Sequence, residues 1–246
     1  MSSGVGSLEW AARTHGRLST RDRFVLLAQG VRRMLPRGAR LGAMLDLDSY
    51  RPPDSPVARE AEEFCREASP AFLEEHCFRV NLWGVAIGRE ERLDFDEEAL
   101  YVASLTHDLG ITDRFRGHDP QAACFSLDSA SATRELVARH SFAEPRADAV
   151  AEAITLHLNA HVPLSRGPEA YLLQVGAAID VTGFRLRDVE RPTRDGILAR
   201  HPRRGMKREF AAVIDDEVVR HPDSRPAFFA KRVGFKRMIE RAPFDD

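Results

Sequence analysis

Apolar residues recur at spacings of three and four along nearly the whole chain, and no stretch alternates strictly between apolar and polar positions. The first spacing places side chains on one face of a helix, whereas alternation would indicate a strand. The pattern therefore predicts an all-α protein. The predicted helices cover residues 20–35, 56–68, 70–91, 96–112, 126–141, 145–159, 168–184, 193–200, 206–220 and 225–240.

Two segments fall outside this pattern. Residues 1–18 are small and polar, and we expect them to form a loose end. Residues 113–121 contain Gly117 and Pro120, which break helices, and we expect a surface loop there.

Composition narrows the class of protein. Hydrophobic residues make up 43% and charged residues 30% of the 246, so the chain can fill a core and is not expected to be disordered throughout. The net charge of −2 argues against a protein-wide basic surface for nucleic acid. Cys65, Cys77 and Cys124 are too few for a disulfide framework, which favours a reducing compartment. No apolar run reaches the length of a membrane span or of a secretory signal, so we expect a cytoplasmic protein.

Histidine and aspartate interrupt the apolar faces of four predicted helices. These residues are His76, His107 with its neighbour Asp108, His157 and Asp180. Burying an ionised carboxylate without a partner costs several kcal/mol or forces it to take up a proton. A divalent cation would compensate this charge and would also bind neutral imidazole. The pattern therefore predicts a metal site where the helices converge.

The segments around these residues carry a family resemblance. They read His76-Cys77-Phe78-Arg79-Val80, then Leu105-Thr106-His107-Asp108-Leu109-Gly110-Ile111-Thr112, then Ala153-Ile154-Thr155-Leu156-His157 and Gly176-Ala177-Ala178-Ile179-Asp180-Val181. In this order the sequence resembles the HD superfamily of all-α metal-dependent hydrolases, and within it the branch that includes cyanamide hydratase. The resemblance implies an HD-domain helical bundle at residues 56–185. Residues 1–55 would form an N-terminal helical extension, and residues 186–246 a C-terminal one packed on the HD domain.

The resemblance also implies the ligand set. His76, His107, Asp108 and Asp180 would hold one divalent metal ion, which could be Fe, Mn, Zn or Co. Related bacterial proteins are expected to continue with Phe-Glu-x-Asp-Gly-Ala, where this chain has Phe125-Ser126-Leu127-Asp128-Ser129-Ala130. Phe125 also stands near the place where dinuclear members carry an additional His, which favours one metal over two. A second His-Asp pair, His118-Asp119, lies in the predicted loop and is assigned no role.

Three residues are candidates for the chemistry of this site. A bound metal acidifies water, and Asp108 would hold that metal next to the reacting atoms. His157 would be a further ligand or a proton donor, and Arg79, one turn from His76, would hold an anionic group of the substrate. The small-molecule substrate is predicted to be a phosphate ester. Hydration of cyanamide or a related nitrile is the alternative, and a non-catalytic ligand-sensing or scaffold module is an alternative of another class.

The side chains around the metal should distinguish the two enzyme hypotheses. A phosphate site requires cationic side chains such as Arg79 and Arg114 to face the ion, whereas a nitrile pocket would be mostly neutral. Neither a membrane nor nucleic acid is expected as a partner. Homo-oligomerisation stays open.

Overall fold

The computed structural model describes residues 4–34, 42–140 and 142–246. Within these ranges the chain is helical, without a strand, as the hydrophobic pattern predicts; one isolated bridge pairs Ala43 with Val189. The helices are α1 (Leu8–Thr14), α2 (Thr20–Met34), α3 (Pro56–Ala68), α4 (Ala71–Glu90), α5 (Glu97–Thr106), α6 (Phe125–Arg139), α7 (Glu144–Leu156), α8 (Pro168–Thr182), α9 (Arg191–Arg200), α10 (Met206–Arg220), α11 (Arg225–Arg232) and α12 (Phe235–Glu240).

The prediction of a loose end is wrong for residues 4–18, whereas residues 1–3 of that segment lie outside the described residues. Ser7 caps α1 by accepting a hydrogen bond from the Trp10 backbone N–H, and the Trp10 side chain is fully buried. Trp10 packs in a cluster with Leu26 and Cys124, so its burial depends on residues distant in sequence. A single aromatic residue in a polar segment gives no periodic signal from which this could be predicted.

Two predicted helices are interrupted. The helix predicted at 96–112 ends at Thr106, and a 3-10 turn at Leu109–Ile111 follows. The helix predicted at 225–240 divides into α11 and α12 because Gly234 adopts a left-handed conformation with φ of 73°. The predicted ends at 35 and 141 lie outside the described residues, whereas the loop at 113–121 contains no regular helix, as predicted.

The central layer brings α4 against α8 and α5, while α7 packs on α5, α6 and α8. The contact between α4 and α8 is very close because Gly176 lies on the backbone of Val80, where a Cβ would approach the Val80 carbonyl oxygen to 2.4 Å. One turn from this contact on each helix are His76 and Asp180, and the close packing brings them together.

The terminal helices flank this layer. Helix α10 packs on α4, α12 packs on α8, and α1 packs on α7. The division into segments 1–55, 56–185 and 186–246 stays a prediction. Within the described residues, no helix combines the length and apolar character that crossing a bilayer requires.

Candidate metal centre

Three helices deliver the histidines of the site. His76 lies within α4, His107 is the residue at which α5 ends, and His157 is the residue at which α7 ends. Asp108 follows directly in the turn after α5. This turn fits against α6 because Gly110 has no side chain: a Cβ there would lie 2.1 Å from the carbonyl oxygen of Phe125.

The side chains of these residues meet in the interior. One ligand atom from each of His76, His107 and Asp108 lies within 4.8 Å of the others. Asp108 Oδ2 is 3.6 Å from His76 Nε2 and 3.4 Å from His107 Nε2, and Asp108 Oδ1 is 3.5 Å from His157 Nε2. All four side chains are buried. Of the predicted site residues, the structure thus brings these four together.

The atoms that face one another lack hydrogen-bond partners in the protein. His76 Nε2, His107 Nε2 and Asp108 Oδ1 are buried and make no hydrogen bond. A buried polar atom left unsatisfied costs about 1–3 kcal/mol. Imidazole nitrogen and carboxylate oxygen are both ligands of divalent transition metals, so one such cation would satisfy all three atoms. The residues present therefore fit a divalent metal ion.

Backbone carbonyls select the tautomers that ligation requires. His107 Nδ1 donates to the Ser104 carbonyl at 2.8 Å, and His157 Nδ1 donates to the Ile154 carbonyl at 2.6 Å. Since a carbonyl oxygen only accepts, Nδ1 of each ring carries the proton and Nε2 presents its lone pair to the interior.

Burial and neighbouring charges also set the protonation states. Burial lowers the pKa of His107 to about 3, so its imidazole is neutral at pH 7. Burial alone would raise the pKa of Asp108, but His107, His157 and His76 outweigh it and hold this pKa below the usual value. Neutral imidazole and ionised carboxylate are the forms that bind metals.

Asp180 lies apart from this cluster, on the other ring nitrogen of His76. Its carboxylate accepts hydrogen bonds from His76 Nδ1 at 2.7 Å and from Trp83 Nε1 at 2.9 Å. Arg79 donates to it twice, from Nε at 2.7 Å and from Nη2 at 2.9 Å. Burial raises the pKa of Asp180, but Arg79 and His76 hold it well below its usual range. A carboxylate in this position fixes the ring and the tautomer of a histidine ligand.

Arg79 faces away from the metal centre. Its guanidinium is fully buried between Asp180 and the carbonyl oxygens of His201 and Pro202, each 3.0 Å from Nη1. Arg114 pairs with Glu67 and is 46% exposed. Neither arginine is placed to contact a substrate at the cluster.

Beside the cluster is a cavity of about 450 Å³, and His76, His107 and Asp108 form part of its wall. The remaining lining is mostly aliphatic and aromatic, with Asn159, Gln174 and Thr182 among its polar side chains. The described lining residues include no lysine or arginine, and Asp108 is the carboxylate among them. The cavity is therefore suited to an uncharged ligand.

Sequence reasoning missed two contributors to this region. Helix α2 lines the cavity through Leu26 and Gly30, although no motif in its sequence relates it to the histidines. Arg203 donates to the Asp180 backbone carbonyl at 3.1 Å and is 3.6 Å from its carboxylate. Its position among several arginines before α10 gives no signal of burial.

Known proteins with similar sequences share this region. The family model of the HD domain matches residues 73–201, which include His76, His107, Asp108, His157 and Asp180. The chain is 30% identical to the cyanamide hydratases DDI2 and DDI3 of Saccharomyces cerevisiae over 174 residues, which are 70% of this chain and 76% of each yeast protein.

Proposed function

The chain belongs to the HD-domain family and is a metal-dependent enzyme, and we propose that it adds water to the carbon–nitrogen triple bond of a neutral nitrile or cyanamide. Addition of water forms one C–O bond, breaks one π bond of C≡N and moves one water proton to nitrogen, which gives an imidic acid or an isourea. Transfer of the second proton from oxygen to nitrogen then breaks the remaining C–N π bond and forms C=O. A nitrile gives an amide and a cyanamide gives a urea, without an oxidant, reductant or leaving group.

The charge of the cavity carries this proposal. A phosphate ester brings at least one negative charge, and phosphate sites in proteins are built with arginine, lysine or helix N-termini. Here Arg79 is hydrogen-bonded to Asp180 and does not line the cavity, and the described lining residues include no lysine or arginine. A nitrile is uncharged and needs no such partner. The similarity to the yeast cyanamide hydratases supports the same choice, so we place phosphate ester hydrolysis second.

We assign metal binding to His76, His107 and Asp108, whose unsatisfied atoms converge. Asp180 serves as a positioning residue that holds the His76 ring, and Arg79 holds Asp180. When bound, the cation supplies acidified water and withdraws electrons from the substrate. His157 accepts a proton at Nε2, because its Nδ1 is held by Ile154, and returns that proton to the substrate nitrogen.

Metal loading and product formation test the assignment. Purified protein, stripped with a chelator, is reloaded separately with Fe(II), Mn(II), Zn(II) or Co(II) and assayed for urea from cyanamide and for nitrophenol from nitrophenyl phosphate. We expect about one metal per chain and urea formation with at least one metal. Turnover of the phosphate ester without turnover of cyanamide or simple nitriles would overturn the proposal.

A matched pair of histidine variants locates the site. His107→Ala should lose metal and activity, whereas His118→Ala should keep both, because His118 belongs to the other His-Asp pair and contacts Glu135 near the surface. Equal metal content in the two variants would contradict the assignment. A small-molecule substrate, a cytoplasmic location and the absence of nucleic acid as a partner remain our predictions.

A further inference from the structure

The cavity is larger than a small nitrile requires. Cyanamide has three non-hydrogen atoms and fills roughly the space of two or three water molecules, at about 30 Å³ each. The cavity measures about 450 Å³, within the range of pockets that enclose drug-sized ligands. The space beyond the metal centre therefore accommodates a much longer substrate.

The cavity is lined in part by apolar side chains from helices outside the central layer, in addition to those from α8. Leu26, Leu27 and Val31 line it from α2, and Phe229 and Met238 line it from α11 and α12. Leu26 is fully buried, whereas Leu27, Val31 and Met238 are 44%, 65% and 38% exposed. The cavity thus runs from the buried histidines to an apolar rim between α2 and the C-terminal helices. Large apolar side chains exposed around a cavity mouth are typical of a binding surface.

We infer that the preferred substrate is a neutral nitrile or monosubstituted cyanamide that carries an alkyl or aryl group, and that this group lies between α2 and α11–α12. The inference rests on the proposed function for the reacting end of the substrate. The apolar end rests on the cavity alone: an uncharged apolar group gains free energy from contact with these walls, whereas a charged group would meet no described partner there beyond Asp108.

Gly30 offers a way to shorten this space selectively. It lines the cavity one helical turn after Leu26, so a side chain at position 30 would lie on the same face of α2 as Leu26. Among the described residues no atom lies within 4 Å of a Cβ placed at Gly30, so a larger residue there enters open space rather than a packed core. Replacing a glycine within a helix also favours the helix. Gly30→Leu should therefore fold and fill part of the cavity.

The experiment compares kcat/KM for cyanamide and for butyl-, hexyl- and benzylcyanamide on the metal-loaded enzyme. Each buried methylene should raise kcat/KM roughly threefold to fourfold. Gly30→Leu should lower kcat/KM for benzylcyanamide at least about fivefold more than it lowers kcat/KM for cyanamide. The matched control is Ala28→Leu, which adds the same side chain at an exposed position of α2 that does not line the cavity. Leu27→Ser, at the exposed rim, is a second variant that should reduce the gain per methylene.

Binding separates this inference from the proposed function. Calorimetry with benzylurea and unsubstituted urea on the metal-loaded protein reports on the apolar space whether or not turnover occurs. The apolar space is supported if the wild type binds benzylurea, Gly30→Leu weakens this binding and Ala28→Leu does not. This outcome would hold even if no nitrile were turned over and the proposed reaction failed. Turnover of cyanamide with no gain from substituents, or equal behaviour of Gly30→Leu and Ala28→Leu, would overturn the inference and leave the proposed reaction standing.

Discussion

Replacing Asp180 by asparagine tests how the buried carboxylate beside His76 is stabilised. Asparagine keeps the size of the side chain and can still accept from Trp83, but it no longer neutralises the Arg79 guanidinium. Both side chains are inaccessible to solvent, so the remaining positive charge cannot be hydrated without disrupting the packing of α4 against α8.

The expected loss of stability is large for a single isosteric change. Removing one partner of a buried ion pair costs about 3–5 kcal/mol. Domains of this kind unfold with a total free energy of about 5–15 kcal/mol, so the variant should lose a substantial share of its stability. At about 2–4 °C per kcal/mol for a chain of this size, Tm should fall by roughly 6–20 °C.

Urea unfolding, followed by circular dichroism in the presence of a chelator, measures this loss without a contribution from metal binding. Arg79→Met should also destabilise, and the double variant should lose less than the sum of the two single losses because no buried charge is left unpaired. Asp195→Asn is the control, since the Arg191–Asp195 pair is highly exposed and should contribute less than about 0.5 kcal/mol. A loss below about 1 kcal/mol in Asp180→Asn, with additive single losses, would refute the reasoning.

Three further substitutions test the framework around the site. Gly110→Ala forces a Cβ onto the Phe125 carbonyl and should cost about 1–3 kcal/mol in urea unfolding. Gly30→Ala is the control, because Gly30 lies within α2 and a Cβ there meets no atom of the described residues, so it should cause no loss; equal losses would contradict the close contact at Gly110. Trp10→Ala should cost about 3–5 kcal/mol because the side chain is fully buried, and a loss below about 1 kcal/mol would indicate that α1 is not packed as described. Asp96 caps α5 and pairs with Arg146, which holds its pKa below the ordinary 3.8, so its contribution is present above pH 4 and is lost as the pH falls through the lowered pKa. Asp96→Asn should therefore be less stable than the wild type at pH 7, and the difference should shrink as the pH falls below the ordinary value of 3.8; a difference that stays constant over this range would exclude the charge as the cause.

The parts of the site that depend on helix periodicity could be predicted from the sequence. His76, His107 and His157 continue apolar faces, and such residues turn inward in any helical packing. The same argument places Asp180 in the interior, where it is fully buried. Periodicity indicates which face of a helix is buried but not which residue of another helix lies opposite it. The contacts of the site that could not be predicted are of this second kind.

The partner of Asp180 is the clearest example. The sequence argument assigns its charge to a metal, because no charged residue is close to it along α8. In the structure Arg79 supplies two hydrogen bonds from α4, since the contact at Gly176 brings the two helices together. Trp10 was missed for a related reason: its burial depends on α2 and on the segment before α6, and both are remote in sequence.

The ends of α5 and α7 have an electrostatic consequence for the metal centre. His107 and His157 each lie at the C-terminus of a helix, and their ring centroids are 4.8 Å apart, so two helix C-termini lie close to the same small volume. Aligned peptide dipoles give each terminus about half a negative charge. The backbone therefore contributes a potential that attracts a cation in addition to Asp108, and extending either helix by one turn would move this potential away together with its histidine.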